Sequence, residues 1–224
     1  MKKFSVETDM QRVQKLYKYE NAAREKGFNL IAGVDEAGRG SLVGSVVVAA
    51  VILPENLYFE RLDDSKKLLP KIRDILYDKI TAAAISYSYV EVPVEEIDKL
   101  NIYQATLVGM KRAVALLDVQ PEIVLTDAMR VDLGDKIRSH PIVHGDRLSA
   151  SIAAASIIAK VTRDRLTDKW ALDYPEYGFE HNRGYGTKDH LSAIEKFGPS
   201  PIHRHTFNPV KSLVKNLKIS EEIS

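Results

Sequence analysis

Between Asn29 and Leu53 the chain runs through two apolar blocks separated by glycines. Asn29-Leu30-Ile31-Ala32-Gly33-Val34 ends abruptly on Asp35-Glu36, which predicts a buried strand finishing on acids. Gly38, Gly40 and Gly44 punctuate a turn, and Val46 to Leu53 is a strongly β-branched second strand closed by Pro54. Ile85 to Val92 alternates up to Pro93 and reads as a third strand. Glu122 to Asp127 is a fourth, again ending on an acid, and Pro141 to His144 a short fifth. Helical spacing appears from about Asp9 to Lys26, from Pro70 to about Ala84 with the proline in the first turn, and from Asn101 to Leu117. A longer helix spans Ser149 to about Leu172, and its first half, Ala150 to Ala159, is nearly all small and apolar. Such a stretch belongs in the interior, where small side chains let a helix approach a sheet closely. Beyond Tyr174 the sequence turns rich in Tyr, Gly, His and Pro, with one short helix near Asp189 to Lys196; Leu213 to Ser224 reads as a charged helix or frayed tail.

Strands that open as a meander and then alternate with helices predict an α/β fold, a mixed β-sheet flanked by helices. The 224 residues fit one large domain with a small appendage. We place the main body at residues 1–173, with residues 1–27 as an N-terminal helical arm, and a small helical C-terminal portion at 174–224. Lys+Arg (32) and Asp+Glu (31) nearly cancel, so any nucleic-acid footprint has to be local rather than global. The absence of cysteine excludes disulfides, thiolate nucleophiles and zinc–sulfur sites. The opening residues carry acids without an apolar core, unlike a signal peptide, and the longest apolar stretch is interrupted by Gly44 and Ser45 and too short for a bilayer. A soluble cytoplasmic monomer without membrane association is expected.

Four acids stand out by position. Asp35 and Glu36 end one buried strand, Asp127 ends another, and Asp146 precedes the long buried helix. Strand ends and helix starts line the crevice at the edge of an α/β sheet, and carboxylates converging there repel one another unless cations hold them together. Oxygen ligands alone select a hard ion such as Mg²⁺ or Mn²⁺. Each position also has a plainer explanation: Asp146 as a helix N-cap, Asp127 as a turn former. The paired acids are the stronger signal, because two carboxylates at the end of an apolar strand are costly without a use. Gly38-Arg39-Gly40 with Gly44 does not make a dinucleotide site; the spacing is wrong, a strand follows instead of a helix, and the acids would repel a pyrophosphate.

In order along the chain, Gly33-Val34-Asp35-Glu36-Ala37-Gly38-Arg39-Gly40, Asp64-Ser65-Lys66-Lys67-Leu68, Glu96-Ile97-Asp98 with Asn101-Ile102, Asp127-Ala128 and Gly145-Asp146 resemble the motifs of ribonuclease HII. Ala153 to Val161 with Arg163-Asp164, then Tyr174-Pro175, Gly184-Tyr185-Gly186-Thr187, His190 and His203-Arg204, continue the resemblance over about residues 28–210. It implies a ribonuclease-H-like mixed sheet and an endonuclease cutting RNA paired to DNA, or 5′ of single ribonucleotides in duplex DNA. It also implies two-metal hydrolysis at Asp35, Glu36, Asp127 and Asp146, leaving 3′-hydroxyl and 5′-phosphate ends. By the same resemblance Gly38, Arg39 and Gly40 sense the ribose 2′-hydroxyl with backbone atoms, Tyr185 stacks under the neighbouring deoxyribose, and Ser65 with Lys66 holds a phosphate. Without it, Tyr185 reads as a packing residue, Ser65 as an N-cap, and His203 as a satisfied loop histidine. Arg163, Lys160, Arg183, Lys188 and Arg204 are candidates for a local basic surface.

The chain departs from the family pattern at several points. Ser41 and Ser45 stand where prolines are usual, which is expected to loosen the turn after the ribose sensor. Asp63 replaces an asparagine and is expected to add negative charge near the phosphate; His144 replaces a lysine. No sliding-clamp peptide is evident near the C-terminus. A ribonuclease HIII reading is disfavoured by the short N-terminal arm and the intact Gly-Arg-Gly.

Overall fold

The computed structural model describes residues 5–213. Its centre is a five-stranded sheet in the order β3-β2-β1-β4-β5, formed by β1 (Ile31–Ala37), β2 (Val46–Ile52), β3 (Ser86–Val92), β4 (Ile123–Asp127) and β5 (Arg138–Ile142). The first three strands form the expected antiparallel meander, whereas β4 runs parallel to β1 and β5 parallel to β4. The fold is therefore the predicted mixed sheet with helices on both faces.

Alternation along the strands splits the core. Val47, Ala49 and Val51 face α6 (Ala150–Asp173) together with α3 (Pro70–Ala83). Val46, Val48, Ala50 and Ile52 face α5 (Ile102–Ala115). The small residues of α6 do what their size suggests. The helix start presses so closely on β1 that a Cβ added to Gly33 would lie 2.1 Å from the backbone carbon of Ser151. That contact fixes the depth of α6, and with it the turn just before the helix.

Several elements differ from expectation. The N-terminal helix is two, α1 (Val6–Leu16) and α2 (Lys18–Arg24), because Tyr17 leaves helical geometry to bury its ring and donate its hydroxyl to Leu57 O at 2.7 Å. A short helix α4 (Val94–Leu100) precedes α5, with Asn101 between them accepting from the backbone N–H of Tyr103 and Gln104. β5 starts three residues before Pro141 and ends before His144. It is an edge strand, where a proline is tolerated within the run instead of marking its start.

The remaining helices, α7 (Phe179–Asn182) and α8 (Lys188–Phe197), pack around Tyr177, Phe179 and Ile194 against Leu42 and Val43 in the connection between β1 and β2. The C-terminal portion thus covers the glycine turn. No helix among the described residues is long and apolar enough to cross a membrane. Residues 214–224, where the charged tail and any clamp-binding peptide would fall, lie outside the described residues.

Candidate active site

The two strands that carry acids toward their ends lie side by side, β1 running one residue past Asp35-Glu36 to Ala37 and β4 ending on Asp127. Register pairs Val34 with Thr126, so Asp35 and Asp127 follow at equivalent positions of parallel neighbours and share the face that carries Gly33 and α6. Asp146 arrives from a turn of 3-10 helix, Gly145–Arg147, at the foot of α6. Carboxylate oxygens of Asp35, Asp127 and Asp146 all lie within 4.8 Å of one another. Of the plainer explanations, the helix cap fails for Asp146, whereas Asp127 does start a tight turn, its carbonyl accepting from Met129 N–H across the left-handed Ala128. Ser149, not Asp146, caps α6 by accepting from Ile152 N–H, and Asp127 reaches across to accept from Gly145 N–H at 2.8 Å. The backbone bends sharply on either side, with Ala128 and His144 both left-handed (φ 55° and 58°), a strain that the surrounding packing has to sustain.

Glu36 points to the other side of β1, where Arg39 donates to its Oε1 at 3.2 Å. Its Oε2 is buried and has no hydrogen-bond partner among the described residues. Burial, followed by the charges of Glu36 and Asp127, pushes the Asp35 carboxyl well above the ordinary carboxylate range. Burial likewise raises Glu36 and Asp127. Lys66 offers partial compensation, its ammonium 3.3 Å from Asp146 Oδ2. Buried, mutually repelling acids with an unpartnered oxygen are what a hard divalent cation fits, and the donor set holds no sulfur to favour a softer one.

A cleft of about 280 Å³ opens beside these acids. Asp35, Glu36, Gly38, Arg39, Gly40, Ser65, Lys66 and Tyr185 line it; Asp127 and Asp146 are not part of the lining but bring carboxylate oxygens within 4.8 Å of one of Asp35, a trio that does not include Glu36. Asp64, not Ser65, caps the short 65–67 turn. Fully buried, Asp64 also accepts from Arg147 Nε at 3.1 Å, joining the Lys66 turn to the residue after Asp146. Sequence reasoning passed over that link, because its partners lie far apart in the chain.

Three expectations need correction. Ser41 does not loosen the turn: it is fully buried, and its one hydroxyl proton is shared between Gly184 O at 2.9 Å and Val43 O at 3.0 Å, tying the glycine turn to the Tyr185 loop. Ser45 is also buried, but its hydroxyl finds no hydrogen-bond partner among the described residues. Asp63 does not load the phosphate site with free charge, since Lys67 and Arg12 pair with it. Arg163 (1% exposed) and Arg204 (0%) are not a basic surface; they donate to the carbonyls of Val43, Ser45 and Arg183, and of Arg39 and Gly44. Arg163 nevertheless contributes to the cleft wall, as does Lys160, which is paired with Asp164.

His203 is the satisfied loop histidine that the sequence suggests, bonded to Ser200 and to His190, and the structure adds that it is fully buried. Burial first, and then the neighbouring His190, hold its pKa down at about 3. The unfolded ring takes a proton near its ordinary value of about 6.5 and the folded ring does not. Its contribution to stability is therefore intact above that pH and is lost as pH falls toward about 3. The slope is up to about 1.4 kcal/mol per pH unit. Denaturant titrations of wild type and His203→Gln between about pH 7 and about pH 5 should show the steeper loss in wild type; equal slopes would contradict a buried neutral ring.

Acids at the ends of adjacent parallel strands in this mixed sheet, beside a cleft rimmed by backbone and basic groups, define a ribonuclease-H-like endonuclease. A sequence profile described as Ribonuclease HII matches residues 32–210, and the chain belongs to the ribonuclease HII family. A ribonuclease HII from Bacillus cytotoxicus is 50% identical over 214 residues, covering 96% of this chain and 82% of the relative. The ribonuclease H2 crystal structure from Pyrococcus horikoshii superposes with a TM-score of 0.72 at 28% identity, over 85% of this chain and 99% of that one. The Archaeoglobus fulgidus ribonuclease HII, solved in complex with PCNA, shares the fold at 24% identity with a TM-score of 0.66, over 80% of this chain and 96% of that one.

Proposed function

We propose that the chain hydrolyses the RNA strand of RNA/DNA hybrids and cuts on the 5′ side of single ribonucleotides in duplex DNA, leaving 3′-hydroxyl and 5′-phosphate ends. The observation that carries this reading is the convergence of Asp35, Asp127 and Asp146 beside a cleft that also presents Gly38–Gly40 and Tyr185. Asp35, Glu36, Asp127 and Asp146 would hold two divalent ions, Mg²⁺ or Mn²⁺. When bound, the ions supply activation of water and neutralisation of charge on the leaving 3′ oxygen.

The chain's own groups do the rest. Lys66, its side chain 70% exposed but anchored to Asp146, offers a point charge to the scissile-strand phosphate, with Ser65 beside it. Arg39 is held by Glu36, which fixes the Gly38–Gly40 backbone against the acids. Backbone N–H and C=O groups at that turn can sense both the donor and the acceptor character of a 2′-hydroxyl. Tyr185, 44% exposed at the cleft, presents an aromatic face on which the deoxyribose after the ribonucleotide rests. The portion from residue 174 onward contributes to substrate binding through this tyrosine.

The test is cleavage of a labelled DNA duplex containing one ribonucleotide, beside a long hybrid, with Mg²⁺ or Mn²⁺ and with EDTA. A metal-dependent cut 5′ of the ribonucleotide is expected. Cleavage of the long hybrid alone would instead indicate a specificity like that of ribonuclease HIII, and binding without cleavage would refute the catalytic reading.

A further inference from the structure

The segment from Ser200 to Arg204 bonds to both substrate-facing turns. On one side, Gly44 N–H donates to Ile202 O and Arg204 N–H to Leu42 O, each at 2.8 Å, while the Arg204 guanidinium donates to Arg39 O at 3.0 Å and to Gly44 O. On the other side, a row of two buried histidines leads to Tyr185. Ser200 N–H donates to His203 Nδ1 at 2.9 Å, so that nitrogen carries no proton and the neutral ring holds its proton on Nε2. His203 Nε2 lies 3.1 Å from His190 Nε2, which must then accept. The proton of His190 is left on Nδ1, which faces Tyr185 O at 2.9 Å and donates to it. Each donor and acceptor role follows from the one before. The pair is sealed by the rings of Tyr177 and Phe179, and burial keeps both histidines neutral by lowering their pKa values. A charged imidazole has no acceptor nitrogen, so protonation of either ring would break a link.

We propose that this relay is a specificity device: His190 and His203 fix the height of the Tyr185 ring relative to the Gly38–Gly40 turn, and so set the preference for a ribonucleotide followed by a deoxyribonucleotide. The inference rests on the reading of Tyr185 as the residue under the deoxyribose. The Tyr185 ring is nearly half exposed, so its position is inherited from its backbone. That backbone leaves two left-handed residues, Arg183 and Gly184, immediately before it; its N–H donates to Asn182 O and its carbonyl accepts from Thr187 N–H within the loop, and the His190 ring adds the one bond to that carbonyl from the helix beyond. His190 and His203 are positioning residues; neither lines the cleft.

The measurement is the ratio of kcat/KM on a single-ribonucleotide duplex to kcat/KM on a long hybrid, for wild type, His190→Leu, His190→Asn, Tyr185→Ala and Tyr185→Ala/His190→Leu. His190→Leu should lower the ratio about tenfold, the scale expected when a recognition group shifts by a fraction of an ångström. His190→Asn keeps an N–H where Nδ1 stood and should restore most of it, which a merely structural role would not do. In the double variant the histidine change should add nothing to Tyr185→Ala. Equal loss on both substrates in His190→Leu would overturn the relay. If Tyr185→Ala lowers the ratio and His190→Leu does not, the relay alone falls; if Tyr185→Ala leaves the ratio unchanged, the reading of Tyr185 falls with it. Independently of any variant, ¹⁵N spectra of the wild-type imidazoles should show His203 protonated on Nε2 and His190 on Nδ1, and tautomer mixing at either ring would overturn the proposal.

Discussion

Asp35→Asn is expected to lower cleavage by about 10³-fold or more and at the same time to raise the melting temperature of the metal-free chain by a few degrees. Asp35 is 4% exposed, and its carboxyl pKa is raised well above the ordinary range by burial, Glu36 and Asp127. A carboxyl raised in this way binds its proton more tightly in the folded chain than in the unfolded one, so stability falls as pH climbs above the ordinary carboxylate range. At neutral pH the acid cluster opposes folding until a cation compensates it. Asparagine keeps an oxygen to accept from Glu36 N–H, now bonded to Asp35 Oδ1 at 2.8 Å, and turns the other oxygen into a donor facing the remaining acids. Melting curves with EDTA and with Mg²⁺ or Mn²⁺, recorded beside turnover, decide the matter. Wild type should gain markedly from metal, whereas the variant should start higher and gain little. Retained turnover, or identical metal responses in the two proteins, would remove the metal site from Asp35.

The same opposition between stability and use explains why this part of the molecule was legible in the sequence. β1 and β4 are short apolar runs with buried centres, and placing acids toward the ends of such runs is costly, which is what drew attention to them. Their side-by-side placement could be expected from an α/β pattern, and the long small-residue helix announced its own burial. What escaped depended on partners distant in sequence. Ser41 in place of proline suggested slack, but the carbonyl that its hydroxyl holds belongs to Gly184, 143 positions away. Asp63 suggested added repulsion, but Arg12, far away in sequence, meets it together with the neighbouring Lys67. Arg163 and Arg204 suggested surface charge, because arginine usually is exposed; here the turn's own carbonyls need donors, and only long buried side chains reach them. α4 escaped for a local reason: seven residues, two of its first three acidic, after a proline, leave too little periodicity to detect.

Gly38 and Gly40 look equivalent in sequence and differ in space, and the second of them yields a clean separation of folding from function. Gly38 has φ +95°, and a Cβ there would meet Arg163 Nε at 2.0 Å, so Gly38→Ala should disrupt the turn and destabilise the chain. Gly40 has no positive φ, and an added Cβ would find nothing nearer than Tyr185 Cε1 at 3.8 Å, an ordinary contact. Neither backbone freedom nor packing requires a glycine at that position. What the missing Cβ leaves open is the space between the turn and Tyr185, in the cleft where the proposed ribose would approach the backbone. Gly40→Ala should therefore leave the melting temperature unchanged or slightly higher, since alanine restricts the unfolded chain. Its kcat/KM on both ribonucleotide substrates should fall on the order of 10²-fold, the scale for holding a reacting group about 1 Å out of place. Because the acids are untouched, the metal-induced gain in melting temperature should persist in this variant, in contrast to Asp35→Asn. A Gly40→Ala enzyme that melts normally and cleaves normally would show that the sugar is read elsewhere. One that fails to fold would show that the turn is more tightly packed than the 3.8 Å clearance indicates.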